Sequence, residues 1–316
     1  MTKHVVSVSL GSTKRDKTVT AELFGETFEI SRLGTNGDQQ LFRQKLAELD
    51  GAVDAFGFGG MDRWLWSDGQ RYEFRAARNL LAPAKQTPVL DGSGLKNTLE
   101  RETVTWIQEQ GLVDFRTAKT LMVCGVDRFG MSEALSSYGG DIVFGDLMFS
   151  LDIPYAVHGR KAHRRLARLL LPIIVQLPLS ILYPMGEKQN EIKPKWENWY
   201  RWADVIAGDF LYIRRYMPTP ESGALKGKVI LTNTTTEADE EELRKRGVRL
   251  LITSTPNFEG RSFGTNVMEA VLVALNGGRS LTAEEYLASL RKLDWTPNVR
   301  HLSGGGEPSN TAGVIK

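Results

Sequence analysis

The sequence predicts an α/β protein, with a doubly wound parallel sheet preceded by a smaller α/β domain. Three observations predict it. Residues 119–146 read strand, tight turn, helix, strand, the order of a βαβ unit. From residue 204 onward, apolar runs at 204–208, 228–232 and 249–254 alternate with helical patterns at 210–216, 237–246 and 264–275. Ahead of residue 110 the chain carries strands and helices of its own. The boundaries that follow are an N-terminal substrate domain at 1–110, a nucleotide-type domain at 111–293 and a flexible tail at 294–316, rich in Gly, Ser, Asn and Pro.

In chain order, Val5–Leu10 reads as a strand. Residues 18–24 and 27–33 alternate around Gly25-Glu26 and form a hairpin. Ser12, Lys14 and Arg15 before it are turn residues or an anion site, with Arg15 and Lys17 read as facing water. Residues 39–49 place Leu41, Phe42, Leu46 and Leu49 at helical spacing, with Asn36 or Asp38 as N-cap. Residues 53–58 form a strand, and Asp68-Gly69 marks a second hairpin between 61–66 and 70–74. Its Trp64 and Trp66 suit a core or seam better than a stacking platform. A helix at 75–84 and a strand at 87–90 follow.

The segment Asp91-Gly-Ser-Gly-Leu-Lys-Asn97 opens a helix that runs to about residue 110. Glycines between a strand and a helix N-terminus expose amides that can hold an anion or a polar substrate. On one reading Asp91 and Lys96 are an acid/base pair beside Asn97. On the other, of equal weight, Asp91 caps the helix and Lys96 is solvated.

Leu121–Val126 is a short apolar run suited to a buried parallel strand. Gly125, Asp127 and Gly130 follow at the G-x-G-x-x-G spacing of a Rossmann-like turn. Asp127 stands where a glycine normally lets backbone approach a pyrophosphate, and Arg128 beside it can offset the charge. Gly139-Gly140 ends the helix. Asp146, at the end of the next strand, suits the ribose hydroxyls of NAD and would repel the extra phosphate of NADP. These residues fit either nucleotide binding or a plain structural turn. Asn233, Thr234 and Thr235 lie at the carboxyl end of a later strand, where such sheets bind ligands.

Residues 157–168 are basic and 169–186 carry no charge. Pro172, Pro178 and Pro184 argue against a membrane span. The expectation is a basic helix, a Pro-bent apolar segment and a strand near 179–183. Buried core is favoured there over contact with an anionic membrane surface or a pocket for a lipid-like substrate. His158 and His163 lack partners at ligand spacing, so no metal is expected. Thr236-x-x-Asp239 signals a helix start, and Thr282 caps a last helix at 281–293.

The formal charge of +2 gives no global field for nucleic acid. The single Cys124, in an apolar strand, is read as a core thiol and fits a reducing compartment. The first ten residues are too short in apolar length for a signal peptide, which makes the expected location cytoplasmic. A small-molecule substrate is expected; a homodimer is compatible with the sequence.

The layout resembles the shikimate/quinate dehydrogenase family, and within it a group of bacterial proteins labelled quinate 5-dehydrogenase-like. A smaller α/β domain comes first, then Leu90-Asp91-Gly92-Ser93-Gly94, a helix and the nucleotide-type fold. Asp91 and Gly94 match the family's Thr-Asp-x-x-Gly turn. Residues 264–275 are similar to its closing helix. The family's Asn-Val-Thr-x-Pro-x-Lys segment has no counterpart here, and Lys96 is placed by position alone. The resemblance implies an oxidoreductase using NAD, with NADP the weaker cofactor, acting on a small hydroxy or oxo compound. Asp91 and Lys96 would be catalytic, and Asn97, Arg261 and Asn266 would address substrate. The alternatives are a ligand-binding or sensing protein without redox activity, and an enzyme for a lipid-like substrate.

Overall fold

The computed structural model describes residues 2–178, 191–255 and 264–303, together with the backbone of 257–258 and 261–262. The chain is α/β and divides into two compact units. The first joins Met1–Thr98, Leu170–Lys188 and Phe263–Lys292; the second joins Leu99–Leu169, Gln189–Ser262 and Leu293–Lys316.

The first unit holds a five-stranded sheet of Lys3–Ser9 (β1), Lys17–Leu23 (β2), Glu26–Gly34 (β3), Ala55–Gly59 (β4) and Val89–Leu90 (β7), in the order β2-β3-β1-β4-β7. β1, β3, β4 and β7 are parallel, and β2 is antiparallel to β3. The β2–β3 turn is Phe24-Gly25, one residue earlier than the sequence suggests. Both residues have positive φ, as a two-residue hairpin turn requires. Trp64–Ser67 (β5) and Gln70–Glu73 (β6) form the second hairpin around Asp68-Gly69. The Arg71 guanidinium lies over both Trp64 and Trp66, at 5.6 and 4.8 Å from the ring centroids.

Gln39–Leu49 (α1) is capped by Asp38, whose carboxylate accepts from the Gln40 and Leu41 amides. Its Phe42 meets Phe58 of β4 edge to face, with centroids 5.6 Å apart. Arg75–Leu81 (α2) and the start of Ser93–Glu109 (α3) complete the N-terminal part. Thr265–Leu275 (α10) also belongs to this unit, with every residue from Val267 to Ala274 buried. Ala283–Lys292 (α11) follows it. The domain order expected from sequence places both helices elsewhere, in the nucleotide-type domain.

The second unit holds a seven-stranded sheet: Thr120–Met122 (β8), Ile142–Phe144 (β9), Val157–His158 (β10), Val205–Ala207 (β11), Val229–Thr232 (β12), Leu250–Thr253 (β13) and Asn298–His301 (β16). The order is β10-β9-β8-β11-β12-β13-β16, with five parallel strands between two antiparallel edges. The chain builds outward from β8 to β9 on one side and from β11 to β13 on the other, which makes the β8/β11 boundary the topological switch point. Phe129–Ser137 (α4), Asp146–Leu151 (α5), Arg160–Ile174 (α6), Glu197–Trp202 (α7), Phe210–Arg215 (α8) and Glu237–Lys245 (α9) supply the helices. One apolar cluster includes Leu121, Phe149, Ile206 and Ile230; another includes Met122, Met131, Phe144 and Leu231. Consecutive residues of β8 thus serve different clusters, as a doubly covered parallel strand requires.

Four expectations change. β9 stops at Phe144, and Asp146 opens α5 where the sequence suggests a strand end. The tail pairs through β16 with β13, because Val299 and its neighbours extend the sheet edge. The apolar segment after the basic stretch begins partly in solvent: Leu169 and Ile173 of α6 are 68% and 62% exposed, while Leu171 and Val175 are buried. The sheet has five parallel strands among the described residues, not six; the strand expected at 179–183 lies outside them. The remaining short pair, Asn257–Phe258 (β14) and Arg261–Ser262 (β15), is antiparallel.

Candidate functional site

At the switch point of the second unit, the turn after β8 carries Gly125, Asp127, Arg128 and Gly130. Arg128 folds inward and is 6% exposed. Its Nη1 donates to Glu100 Oε1 at 2.7 Å, its Nε to Asp127 Oδ2 at 3.1 Å, and its Nη2 to Asp209 Oδ2. Burial opposes the guanidinium charge, but the carboxylates of Glu100, Asp127 and Asp209 outweigh it and hold Arg128 well above its usual pKa. Three carboxylates face Arg128. A pyrophosphate entering this turn would meet these carboxylates at low dielectric.

Asp209 also reaches the next strand end. Its Oδ1 caps α8 through the Leu211 amide, and its Oδ2 accepts from Asn233 Nδ2 at 2.9 Å. Asn233 Oδ1 accepts from the Phe210 amide. The structure therefore gathers Asp127, Arg128 and Asn233 into one network. Thr234 donates to the Thr255 hydroxyl at 2.7 Å, and Thr235 sits half-buried beside it in sequence.

Asp146, expected at the ribose, is turned to its own chain. Its Oδ1 accepts from the Val126 amide at 3.0 Å, and its Oδ2 lies 3.1 Å from His163 Nε2. Burial raises this carboxyl, but His163 and the amides of Val126 and Gly125 outweigh it and hold the pKa below the usual carboxylate value. The Val126 amide, at the start of the turn, is thus engaged by an internal anion. His163 stacks on Phe144, with centroids 4.0 Å apart and planes at 10°. A Cβ at Gly125 would stand 2.8 Å from Phe144 and 3.0 Å from His163, so this glycine is needed for packing whatever binds. Gly130 is buried in the first turn of α4. Burial, with Asp146 and Asp127, pushes the Cys124 thiol up, and its Sγ lies 3.4 Å from Ser150 Oγ.

The second gathering lies in the first unit, at the carboxyl ends of β1, β4 and β7. Asp91 Oδ1 accepts from the Ser93 amide at 3.0 Å, and its Oδ2 from the amides of Arg63 and Trp64. It is a cap and a loop anchor. Lys96 meets Asp62 at 3.1 Å, with the lysine side chain 9% exposed. Asp62 carries no sequence signal, because it sits outside any motif. Asn97 is half-buried, and its Oδ1 has no hydrogen-bond partner among the described residues. Asn266, in the first turn of α10, donates to Ser7 Oγ at 3.1 Å. Gly57 and Gly92 let α10 approach, since a Cβ on Gly92 would stand 2.6 Å from the Asn266 nitrogen. Arg261 lies in β15, and its side chain is outside the described residues.

Sequence reading missed Glu269 altogether, because an acid inside an apolar helix carries no motif. It is 5% exposed and accepts from Tyr286 Oη at 2.6 Å. Its Oε2 has no partner among the described residues. Burial first, and then the charge of Asp91, raise its pKa to about 7 against the pull of Tyr286 and the Gly94 and Gly92 amides.

The profile of the domain of unknown function DUF8754 matches residues 94–302, and that of the domain of unknown function DUF8753 matches residues 4–91. No curated protein matches the chain. Among solved structures, an ABC transporter solute-binding protein from Bacillus halodurans C-125 with bound myo-inositol is 14% identical at a TM-score of 0.40, covering 91% of this chain and 98% of that one. A solute-binding protein from Burkholderia multivorans is 11% identical at 0.39, covering 87% and 92%. An NAD-dependent malic enzyme from Thermotoga maritima is 12% identical at 0.41, covering 99% and 79%.

Proposed function

We propose that this chain, which belongs to the DUF8754 family, binds a small hydroxylated molecule at the carboxyl edge of the first unit's sheet and transfers no hydride. The observation that carries this is the Lys96–Asp62 pair, whose lysine is buried and whose aspartate is half-buried. An ion pair taken out of water costs several kcal/mol of desolvation that its own attraction rarely returns, so a purely structural position favours an apolar side chain. Lys96 donates hydrogen bonds, Asp62 accepts them, and the Asn266–Ser7 pair adds a donor and an acceptor in the same unit. Hydroxyls, which both donate and accept, fit such a mixed set. Carboxyl ends of parallel strands are where open α/β sheets take ligands.

The test is thermal shift of the intact protein against polyhydroxy acids, uncharged polyols, NAD and NADP. Stabilisation by a hydroxylated compound that Lys96→Met abolishes supports the reading. No shift from any hydroxylated compound defeats it.

A second reading keeps the oxidoreductase, with NAD preferred to NADP and a shikimate/quinate dehydrogenase-like substrate. The strand order favours it, because it sets Gly125–Gly130 at the switch point. The internal anion at the Val126 amide and the three carboxylates around Arg128 weigh against it. Calorimetric binding of NAD by the unmodified protein would select it.

A further inference from the structure

We propose a second binding site, for a zwitterion of the α-amino-acid class, at the opposite edge of the first unit's sheet. A cavity of about 510 Å³ opens there, at the amino ends of β1 and β4, just before β7, and beside the carboxyl end of α10. The volume is that of a small-ligand pocket. Its charged groups are of opposite sign. Lys3, at the start of β1, is held loosely by Glu26 at 3.6 Å. Asp54, just ahead of β4, uses Oδ2 to accept from the His4 amide at 2.7 Å, which leaves Oδ1 for a ligand. The end of α10 brings carbonyl dipoles, a partial negative charge that favours an ammonium. Gln86 adds a neutral donor and acceptor to the wall.

Gly51 has φ of +80°, and a Cβ there would stand 3.0 Å from Gln86 Oε1. A carboxylate on Lys3 with an ammonium between Asp54 and the helix end satisfies both charges at once. A simple anion would leave Asp54 facing like charge, and a simple cation would leave the Lys3 ammonium with Glu26 alone. The site shares no residue with the carboxyl-edge reading and stands or falls apart from it.

The experiment is calorimetric titration of the full-length protein with L-alanine and L-glutamine, and with acetate and methylammonium as the separate halves. Lys3→Gln and Asp54→Asn are titrated in parallel. Both are surface changes, and the asparagine retains an acceptor for the His4 amide, so thermal melts matching wild type are expected. The amino acid is expected to bind about tenfold or more tightly than either half, and each variant to lose about tenfold, the worth of one charge-assisted contact. No heat from either amino acid, equal affinity for acetate, or unchanged affinity in both folded variants overturns the proposal.

Discussion

Arg128 shows at the scale of one residue why the turn after β8 behaves unlike its sequence. A guanidinium that is 6% exposed survives only because three carboxylates surround it. Removing it by Arg128→Met leaves Glu100, whose side chain is 1% exposed, among like charges. The expected loss is about 3–5 kcal/mol of unfolding free energy, measured by urea denaturation near neutral pH; a loss below about 1 kcal/mol would mean the cluster is solvated. Asp127→Gly tests the same turn for function. On the hydroxylated-ligand reading it confers no NAD binding in calorimetry, because Glu100, Asp209 and Asp146 remain; a gain would show a nucleotide site under handicap. Glu269 gives the pH dependence. Its folded pKa of about 7 exceeds the ordinary glutamate value of 4.5. A raised carboxyl stabilises the fold below the unfolded pKa, and that stability is lost as pH rises from about 4.5 through 7. The span is on the order of 3 kcal/mol at 1.36 kcal/mol per pKa unit. Asp91 and Tyr286 are the titratable groups coupled to it. Glu269→Gln should flatten that part of the stability–pH profile, and an unchanged slope would remove Glu269 as its source.

At the scale of the element, the sequence was most readable where local chemistry decides. Thr236 and Asp239 form a reciprocal capping box at the start of α9, with each side chain bonded to the other's backbone amide. Thr236→Ala should therefore cost about 1 kcal/mol, read as a lower midpoint in thermal unfolding with an unchanged native spectrum. The Asp38 cap and the Asp68-Gly69 turn were legible for the same reason. Asp146 was not. Ile142–Phe144 and Asp146–Leu151 are two short, largely apolar stretches in succession, and periodicity cannot separate a buried strand from a short helix over so few residues. β16 was hidden by composition: its four residues sit in a Gly- and Pro-rich stretch, and the pairing with β13 that makes them a strand is non-local. Hydropathy alone assigns Leu169 and Ile173 to the core, whereas only one face of α6 is buried.

At the scale of the whole molecule, what could not be read is what depends on sequence separation. Arg128 meets Glu100 and Asp209 across 28 and 81 residues, and Asn266 meets Ser7 across 259. No spacing rule reaches that far. The last of these contacts leads to a prediction about folding units. Sequence order suggests a domain at 1–110, yet α10 lies in the first unit and buries an unbroken run from Val267 to Ala274. Val267, Met268, Val271, Leu272 and Val273 are each at most 8% exposed. At roughly 1.5–3 kcal/mol for each large apolar side chain, their burial is worth on the order of 10 kcal/mol, comparable with the entire stability of an ordinary domain. A fragment of residues 1–110 should therefore lack cooperative unfolding in urea. Joining residues 1–98 through a flexible linker to 264–292 should restore it, because the helix that closes the β1–β4–β7 face is then supplied. A cooperative transition in the shorter fragment alone would show that the sheet holds without α10, and the discontinuous first unit would then be a feature of packing and not of folding.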